Sequence, residues 1–155
     1  MLGQCKVMVE YLNDFVAICT RLGIAFKVLD VDSSEILRER IRSRFPSVRL
    51  GSPIDFYSET GLQAEQPWKL LAELLDKIPV YFLFPWDREK RALWIEIGGR
   101  LSEVLDESEY FVEYIITDEN QRFLLGEHHS GILMACGAAE QWVSQLARRR
   151  GSSKT

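Results

Sequence analysis

Residues 79–137 contain a dense succession of strand-like segments, and this succession constrains the fold more than any other feature. The segments read PVYFLFPW, RALWIEI, YFVEYIIT, QRFLLGEHH and GILMACG, and most of the breaks between them are short and polar. Short connections join neighbouring antiparallel strands, whereas parallel strands need a crossover of about a dozen residues or more. The pattern therefore predicts an antiparallel sheet built mainly from residues 79–136.

Helical periodicity accounts for most of the remaining chain. Apolar residues recur at helical spacing in stretches that predict helices at about 6–22, 33–45, 67–78 and 138–149. Gly23 predicts a C-terminal cap for the first of these helices. Asp32, with Glu35 three residues later, predicts the N-cap of the second helix, which Pro46 ends. Clustered strands with helices outside them are typical of an α+β fold, not of a parallel sheet.

Three segments between these helices complete the predicted fold. IAFKVLDV alternates as a short strand that places Phe26 and Val28 on one face. Residues 46–65 combine prolines, glycines and scattered polar residues, so they predict a long connection with a short strand near Val48–Leu50. A glycine pair precedes RLSEVLDES, and this segment predicts a short helix whose leucines and valine face inward.

Length and composition indicate a globular protein. The chain has 155 residues, of which 46% are hydrophobic and 27% charged, and its net charge is −4. We expect a single α+β domain over residues 1–150 and a disordered tail at 151–155. No apolar run approaches the roughly 20 residues of a membrane span, and the N-terminus shows no cleavable leader. These features predict a cytoplasmic protein that does not bind membranes.

The sequence shows no recognisable catalytic apparatus. Cys5, Cys19 and Cys136 are far apart and odd in number, which favours reduced thiols over disulfides or a zinc knuckle. Neither a nucleophile elbow nor a phosphate-binding glycine loop occurs. We therefore expect a protein that is not an enzyme and that carries no cofactor.

The two histidines of the chain, His128 and His129, adjoin a predicted hairpin turn. Adjacent strand residues point to opposite faces, and the chain has no third histidine, so we expect no metal site. Glu127 precedes the pair. A histidine beside a carboxylate is a plausible acid–base pair, so a binding pocket formed by these three residues stays open as an alternative.

Exposed charge and one tryptophan offer further candidate contacts. The carboxylates concentrated in one stretch are Glu103, Asp106, Glu107, Glu109, Glu113, Asp118 and Glu119. This stretch is either a solvated surface or a surface that attracts a basic protein partner. Trp86 follows a predicted strand at a turn, where an aromatic side chain is either packed at an edge or anchors a partner.

A basic segment occupies the second predicted helix and the residues after it. Its arginines are Arg38, Arg40, Arg42, Arg44 and Arg49. Glutamates alternate with them at spacings that form ion pairs within a helix, which favours a solvated helix face. The sequence shows no aromatic ladder beside them, so we do not expect nucleic-acid binding.

From about Val80 onward the chain resembles a family of small, uncharacterised bacterial proteins. The matching segments are YFLFPW, LWIEIGG, VLDESEYFVEYIIT and RFLLGEHHSGILMACG. The family pattern ends on a Glu-Asn-His-His-like motif, for which this chain has Glu127-His128-His129, and Phe123 stands where a tryptophan is usual. Proteins of this kind are similar to the small immunity and interaction proteins carried beside bacterial toxins. The resemblance implies a cytosolic α+β domain that acts by binding and brings no catalytic residues with it.

Two functions therefore remain in competition. The first is a non-enzymatic protein-binding module, such as an immunity-like protein that neutralises a cognate toxin. Its predicted contacts are the acidic residues Glu103, Asp106, Glu107 and Glu109, together with Trp86, Glu127, His128 and His129. The alternative is a small-molecule-binding protein or small enzyme that uses a pocket at Glu127, His128 and His129.

Overall fold

Seven strands of the described residues form one antiparallel sheet in the order β1-β4-β3-β5-β6-β7-β2. The structure is a computed structural model that describes residues 2–51, 54–55, 60–108, 113–128 and 131–152. The strands are β1 (Phe26–Val28), β2 (Thr60–Gln63), β3 (Val80–Leu83), β4 (Leu93–Ile95), β5 (Tyr114–Asp118), β6 (Phe123–His128) and β7 (Ile132–Gly137). Every strand pair is antiparallel, and five of the strands lie within the predicted 79–137 region, which confirms the predicted sheet.

Helices surround the sheet, so the α+β fold predicted from the sequence is confirmed. They are α1 (Leu2–Leu22), α2 (Val31–Arg44), α3 (Leu71–Leu75), α4 (Leu101–Glu107) and α5 (Ala139–Ser152), with 3₁₀ turns at Pro67–Leu70 and Gly98–Arg100. The helix predicted at 67–78 begins as a 3₁₀ turn and ends at Leu75. Gly151 and Ser152, predicted to lie in the tail, continue helix α5. Within the described ranges, no helix has both the length and the apolar character that crossing a membrane requires.

One face of the sheet carries the larger core, under helices α1, α3, α4 and α5. The buried side chains that meet there include Phe15 of α1, Leu75 of α3, Val104 of α4 and Val143 of α5. The ring centroids of Phe15 and Phe82 lie 4.6 Å apart. Burial of large aromatic and aliphatic side chains is the main source of stability here, at about 1.5–3 kcal/mol for each side chain.

The opposite face carries a smaller core, and α2 is the helix packed there. Leu37 and Ile41 of α2 pack with Leu83, Ile115 and Leu124 of the sheet. The segment between α2 and β2 adds the buried side chains of Leu50 and Ile54. The two faces therefore have unequal cover, because four helices pack on one and one helix packs on the other.

Helix α2 begins two residues earlier than its sequence signature predicts. Asp30, not Asp32, is the N-cap: its Oδ1 accepts a hydrogen bond of 2.7 Å from the backbone N–H of Ser33. Asp30 has the extended backbone that an N-cap requires, whereas Asp32 already lies in the first turn. Glu35, predicted to close a capping box, forms ion pairs with Arg38 and Arg42.

The end of α1 is capped as predicted. Gly23 has a φ of +68°, in the left-handed region that glycine tolerates without a Cβ penalty. Its N–H bonds to the carbonyl of Thr20, and the N–H of Ile24 bonds to that of Cys19. This paired arrangement satisfies two carbonyls that the helix end would leave unbonded.

The stretch 46–65 contains more structure than the sequence predicts. Its residues 60–63 form β2, which pairs with β7 at the edge of the sheet. An isolated bridge between Arg49 and Asp55 lies where a short strand was predicted near Val48–Leu50. The sequence of β2, TGLQ, contains a glycine and only one large apolar residue, so it lacks the alternation that identifies a strand.

We predict that Asp30→Ala lowers the thermal unfolding midpoint by about 2–4 °C, because it removes the N-cap hydrogen bond. Asp32→Ala, the matched control, should change the midpoint less, since Asp32 contributes only its charge at the helix N-terminus. Differential scanning calorimetry of both variants measures this. Equal losses, or a larger loss for Asp32→Ala, would contradict the assignment of Asp30 as the cap.

Candidate functional site

Strand β1 forms one edge of the sheet and pairs only with β4. The N–H of Leu29 bonds to the carbonyl of Ala92, and the N–H of Glu96 bonds to the carbonyl of Ala25. In an antiparallel pair, alternate residues of a strand form the backbone hydrogen bonds to the neighbouring strand. Residues 25 and 29 form such bonds, so the backbone of Lys27, which lies midway between them, also bonds to β4. The backbone groups of Phe26 and Val28 therefore point outward, where the described residues offer them no partner.

Large exposed hydrophobic side chains concentrate around this edge. Five such side chains occur among the described residues, and four of them form what we call the β1 edge patch: Val28, Val31, Ile36 and Ile97. Val28 lies in β1 itself, and Val31 and Ile36 lie in the helix that follows it. Ile97 follows β4 at the end where the Glu96–Ala25 hydrogen bond joins β4 to the chain leading into β1. Val31 and Ile36 are 47% and 52% exposed, more than a core position tolerates.

A groove runs between α2 and the sheet on the more open face. We call it the α2 groove; its volume is about 230 Å³. Its lining residues are Leu29, Ser33, Ile36, Leu37, Arg40 and Tyr81. The groove is smaller than the roughly 300–1,000 Å³ of typical small-molecule pockets, and it suits a side chain of a partner better than a whole ligand. Ile36 belongs to both the groove and the β1 edge patch, so the two surfaces adjoin.

Two cations border this surface. The Lys27 Nζ lies 5.2 Å from the ring centroid of Trp94, and register places Tyr81 next to Trp94 on the neighbouring strand. Arg40 lines the groove. Neither Lys27 nor Arg40 forms an ion pair with a carboxylate of the described residues. Arg40 thus shares the groove with Tyr81 of β3, and Lys27 lies over Trp94 of β4. The sequence did not indicate these neighbours because they come from distant strands.

Arg38 departs from the predicted solvated helix face. It is 3% exposed, and its Nη1 donates a hydrogen bond of 2.7 Å to the carbonyl of Lys90. Its guanidinium also pairs with Glu35, at 3.0 Å. Arg40, Arg42, Arg44 and Arg49 are exposed as predicted. Arg38 therefore fixes α2 to the sheet and does not belong to a free basic surface.

Trp86 is the fifth exposed hydrophobic residue among those described, and it lies in the loop between β3 and β4. It is 46% exposed, and its backbone N–H bonds to the carbonyl of Leu50. A Cβ at Gly51 would lie 2.7 Å from the indole Nε1 of Trp86, so the indole packs on the bare glycine backbone. The structure thus places Trp86 at a turn with an exposed side chain, and its role as an anchor for a partner stays a prediction.

The acidic stretch is less negative at its surface than its sequence indicates. Four of its described carboxylates form ion pairs with basic side chains of the chain. The pairs are Glu103–Arg100, Asp106–Lys69, Glu107–Arg21 and Asp118–Arg122. Arg21 and Lys69 are remote in sequence, so the local pattern of residues 103–119 did not indicate these two pairs. Asp118 is also buried, at 2% exposed. Glu109 lies outside the described residues.

Glu127 lies on the larger core face, at the position of β6 that pairs with Tyr114. It is 2% exposed, and its Oε1 accepts a hydrogen bond of 2.9 Å from the Tyr114 hydroxyl. Burial raises the pKa of Glu127 to about 7, although the hydrogen bond from Tyr114 lowers this pKa and so offsets part of the effect. Burial also raises the pKa of Tyr114, and the carboxylate of Glu127 adds to the effect. Both groups are therefore neutral in mildly acidic solution, and they form a closed internal pair.

The predicted pocket at Glu127, His128 and His129 is only partly visible. The backbone of His128 ends β6, but its side chain and the whole of His129 lie outside the described residues. Among the described residues, no three His, Cys, Asp or Glu side chains form a group that would hold a metal ion. The expectation that the histidines bind no metal stays a prediction.

Neither cysteine with a described side chain forms a disulfide. Cys19 is buried, and Cys136 is half-buried. Burial raises the pKa of the Cys19 thiol to about 11, although the positive charge of Arg100 lowers this pKa and so offsets part of the effect. A thiol with so high a pKa is protonated at neutral pH and is a poor nucleophile. The Cys5 side chain lies outside the described residues.

The β1 edge is the feature that sequence reasoning missed. The alternation of IAFKVLDV predicted the strand, but alternation does not show whether a strand is central or at an edge. One signal was present: Val31 and Ile36 are apolar but do not lie on the Leu37–Ile41 stripe of α2. Apolar residues off the buried stripe of a helix indicate a second contact surface.

Comparison of the chain with models of known protein families, with curated proteins and with solved structures finds no match.

We predict that Glu127 makes the protein less stable as the pH rises. Its carboxyl is protonated more readily in the folded state than in the unfolded state, where the pKa is 4.5. This group's contribution is therefore most favourable below pH 4.5, falls as the pH rises to about 7, and is constant above. The total loss is about 3 kcal/mol. Glu127→Gln keeps an acceptor for Tyr114 and removes the titration.

Urea unfolding between pH 4 and pH 8 measures this effect. The stability of Glu127→Gln relative to the wild type should rise by about 3 kcal/mol over that range. Glu103→Gln is the matched control: a hydrogen bond from Arg100 lowers the pKa of Glu103, so its pH dependence has the opposite sign. Parallel curves for the wild type and Glu127→Gln would contradict the raised pKa.

Proposed function

We propose that the protein is a non-enzymatic protein-binding module that engages its partner through the β1 edge patch. The observation that carries this proposal is the concentration of exposed large hydrophobic side chains at one edge of the sheet. Single exposed apolar residues are normal on a protein surface, but several of them along one edge of a sheet are typical of interaction sites.

The backbone and the charges at this edge support the proposal. The outward backbone groups of Phe26 and Val28 offer hydrogen bonds that no described residue satisfies and that a strand of another chain can accept. At the same surface, Lys27 and Arg40 are cations that no carboxylate of the described residues pairs with. An interface needs apolar area for affinity and oriented polar groups for specificity, and this edge offers both.

The alternative of a small-molecule-binding protein or small enzyme is weaker. Its one described acid–base group, Glu127, is buried and already bonded to Tyr114. A substrate would reach this carboxyl only if the surrounding core opened. A catalytic acid or base must come within hydrogen-bond reach of the substrate, so the closed pair better suits a structural role.

The predicted attraction of a basic partner to the acidic stretch has less support. Glu103, Asp106 and Glu107 each form an ion pair with a basic side chain of the same chain. The positive charge of each partner offsets the negative charge that a basic protein would meet there. An immunity-like protein, which masks a toxin by binding it, is one form of the proposed module. The family resemblance is what favours that form.

The test uses purified protein as bait in a lysate of the source organism, followed by calorimetry with the captured protein. Val31→Asp combined with Ile36→Asp should weaken binding by at least about tenfold, because it puts two charges into an apolar contact. Gln141→Asp combined with Gln145→Asp is the matched control. It adds the same charge at two exposed positions of α5 and should bind like the wild type.

Two results would contradict the proposal. One is equal affinity of the β1 edge patch variant and the wild type for the captured protein. The other is turnover of a small molecule by the purified protein alone, which would favour the pocket alternative. Retained binding that is lost on neutralising Glu103, Asp106 and Glu107 to their amides would move the interface to the acidic stretch.

A further inference from the structure

We infer that the partner contributes an extended segment that adds to β1 as a further strand and places a carboxylate against Lys27. The inference rests on the proposed function and names the chemistry of the partner: a segment in which apolar and acidic residues alternate. This charge is opposite to that of the basic partner predicted from the sequence.

The backbone of β1 is open to such an addition. Alternate residues of an edge strand bond inward, and the residues between them present their N–H and C=O groups outward. Here Lys27 bonds inward, and Phe26 and Val28 face outward. A three-residue strand thus offers four backbone groups in a row, which is the arrangement that strand addition uses in peptide recognition.

The side chains of β1 define what the added strand must carry. Phe26 packs against the larger core, and Val28 lies on the same face of the sheet by alternation. Lys27 points to the other face, over Trp94. An added strand therefore favours apolar residues opposite Phe26 and Val28. Opposite Lys27 it favours a carboxylate, because cross-strand pairs of opposite charge stabilise a sheet.

The α2 groove extends the same recognition. Leu29 continues β1 on the face of Lys27, and it lines the groove together with Ile36 and Arg40. A partner residue two positions beyond the carboxylate opposite Lys27 lies opposite Leu29, at the mouth of this groove. A second acidic residue there would approach Arg40, whose guanidinium lacks a carboxylate partner among the described residues.

A second copy of the chain fits this edge poorly. Antiparallel pairing of two β1 strands over their full length places Lys27 directly opposite Lys27 of the other copy. Like charges in directly opposed positions destabilise a strand pair, and a central lysine on an edge strand is a common device against self-pairing. The same lysine favours an acidic segment, so charge selects the partner and excludes the second copy.

The experiment titrates the full chain with a synthetic heptapeptide in which valine alternates with glutamate. Its counterpart replaces each glutamate by lysine. Amide hydrogen exchange, followed by NMR, should slow at Phe26 and Val28 on adding the glutamate peptide, since those amides gain acceptors. The lysine peptide should bind at least about fivefold more weakly.

Two variants test separately the backbone hydrogen bonds of β1 and the charge of Lys27. Val28→Pro removes an outward N–H but no bond to β4, so the fold should persist while peptide binding falls at least about tenfold. Lys27→Glu should reverse the preference between the two peptides, so that the variant binds the lysine peptide about fivefold more tightly than the glutamate peptide. If Val28→Pro fails to fold, Lys27→Glu still decides the matter.

Several results would overturn the inference. They are the absence of peptide binding at millimolar concentration, binding without slowed exchange at Phe26 and Val28, and an unchanged charge preference in Lys27→Glu. Slowed exchange that depends on protein concentration without peptide would instead assign the edge to a second copy. Failure of strand addition leaves the proposed function intact if the captured partner still loses affinity for the Val31→Asp, Ile36→Asp variant.

Discussion

The position of helix α2 depends on a set of buried polar contacts with the chain that leads into β4. The Ser34 Oγ donates a hydrogen bond of 2.7 Å to the Asp30 carbonyl and accepts one of 2.8 Å from the N–H of Ala92. Arg38 adds its bond to the carbonyl of Lys90. Ser34 is fully buried, and a buried polar group left without its partner costs about 1–3 kcal/mol. These contacts therefore fix α2 against residues 90–92, which lead into β4.

The exposed surface follows from that placement. With α2 held beside β4, its Leu37–Ile41 stripe covers the middle of the sheet, and its Ile36 flank is left facing the groove. Strand β1, which leads directly into α2, becomes the edge of the sheet, and no described strand pairs with its outer side. The fold thus leaves the α2 groove open on the face that α2 covers, and it leaves the outer edge of β1 without a strand partner among the described residues. The proposed binding function rests on these two features.

Local patterns predicted the elements well because their signals lie within a few residues. Helical spacing placed α1 and α5, the glycine at 23 gave the cap of α1, and alternation gave the strands of the 79–137 region. Two local predictions were wrong or incomplete. The N-cap of α2 is Asp30 and not the predicted Asp32, and β2 has too few apolar residues to be recognised without its partner β7.

Contacts between distant residues account for the rest. No local pattern indicates that Arg21 and Lys69 neutralise carboxylates of α4, or that Arg38 turns inward to the carbonyl of Lys90. The order of strands in the sheet makes β1 an edge, and that order arises from pairing across the whole chain. The candidate site was missed for this reason: it consists of an edge, a groove and unpaired cations, each of which is defined by what packs elsewhere.

Hydrogen–deuterium exchange of the protein with its captured native partner is the most direct test of the account. We predict slower exchange in the complex over residues 24–36, which include β1 and the first turns of α2, and little change over α4. Slower exchange over residues 101–107 with residues 24–36 unchanged would contradict it, because the partner would then bind the acidic stretch and not the β1 edge.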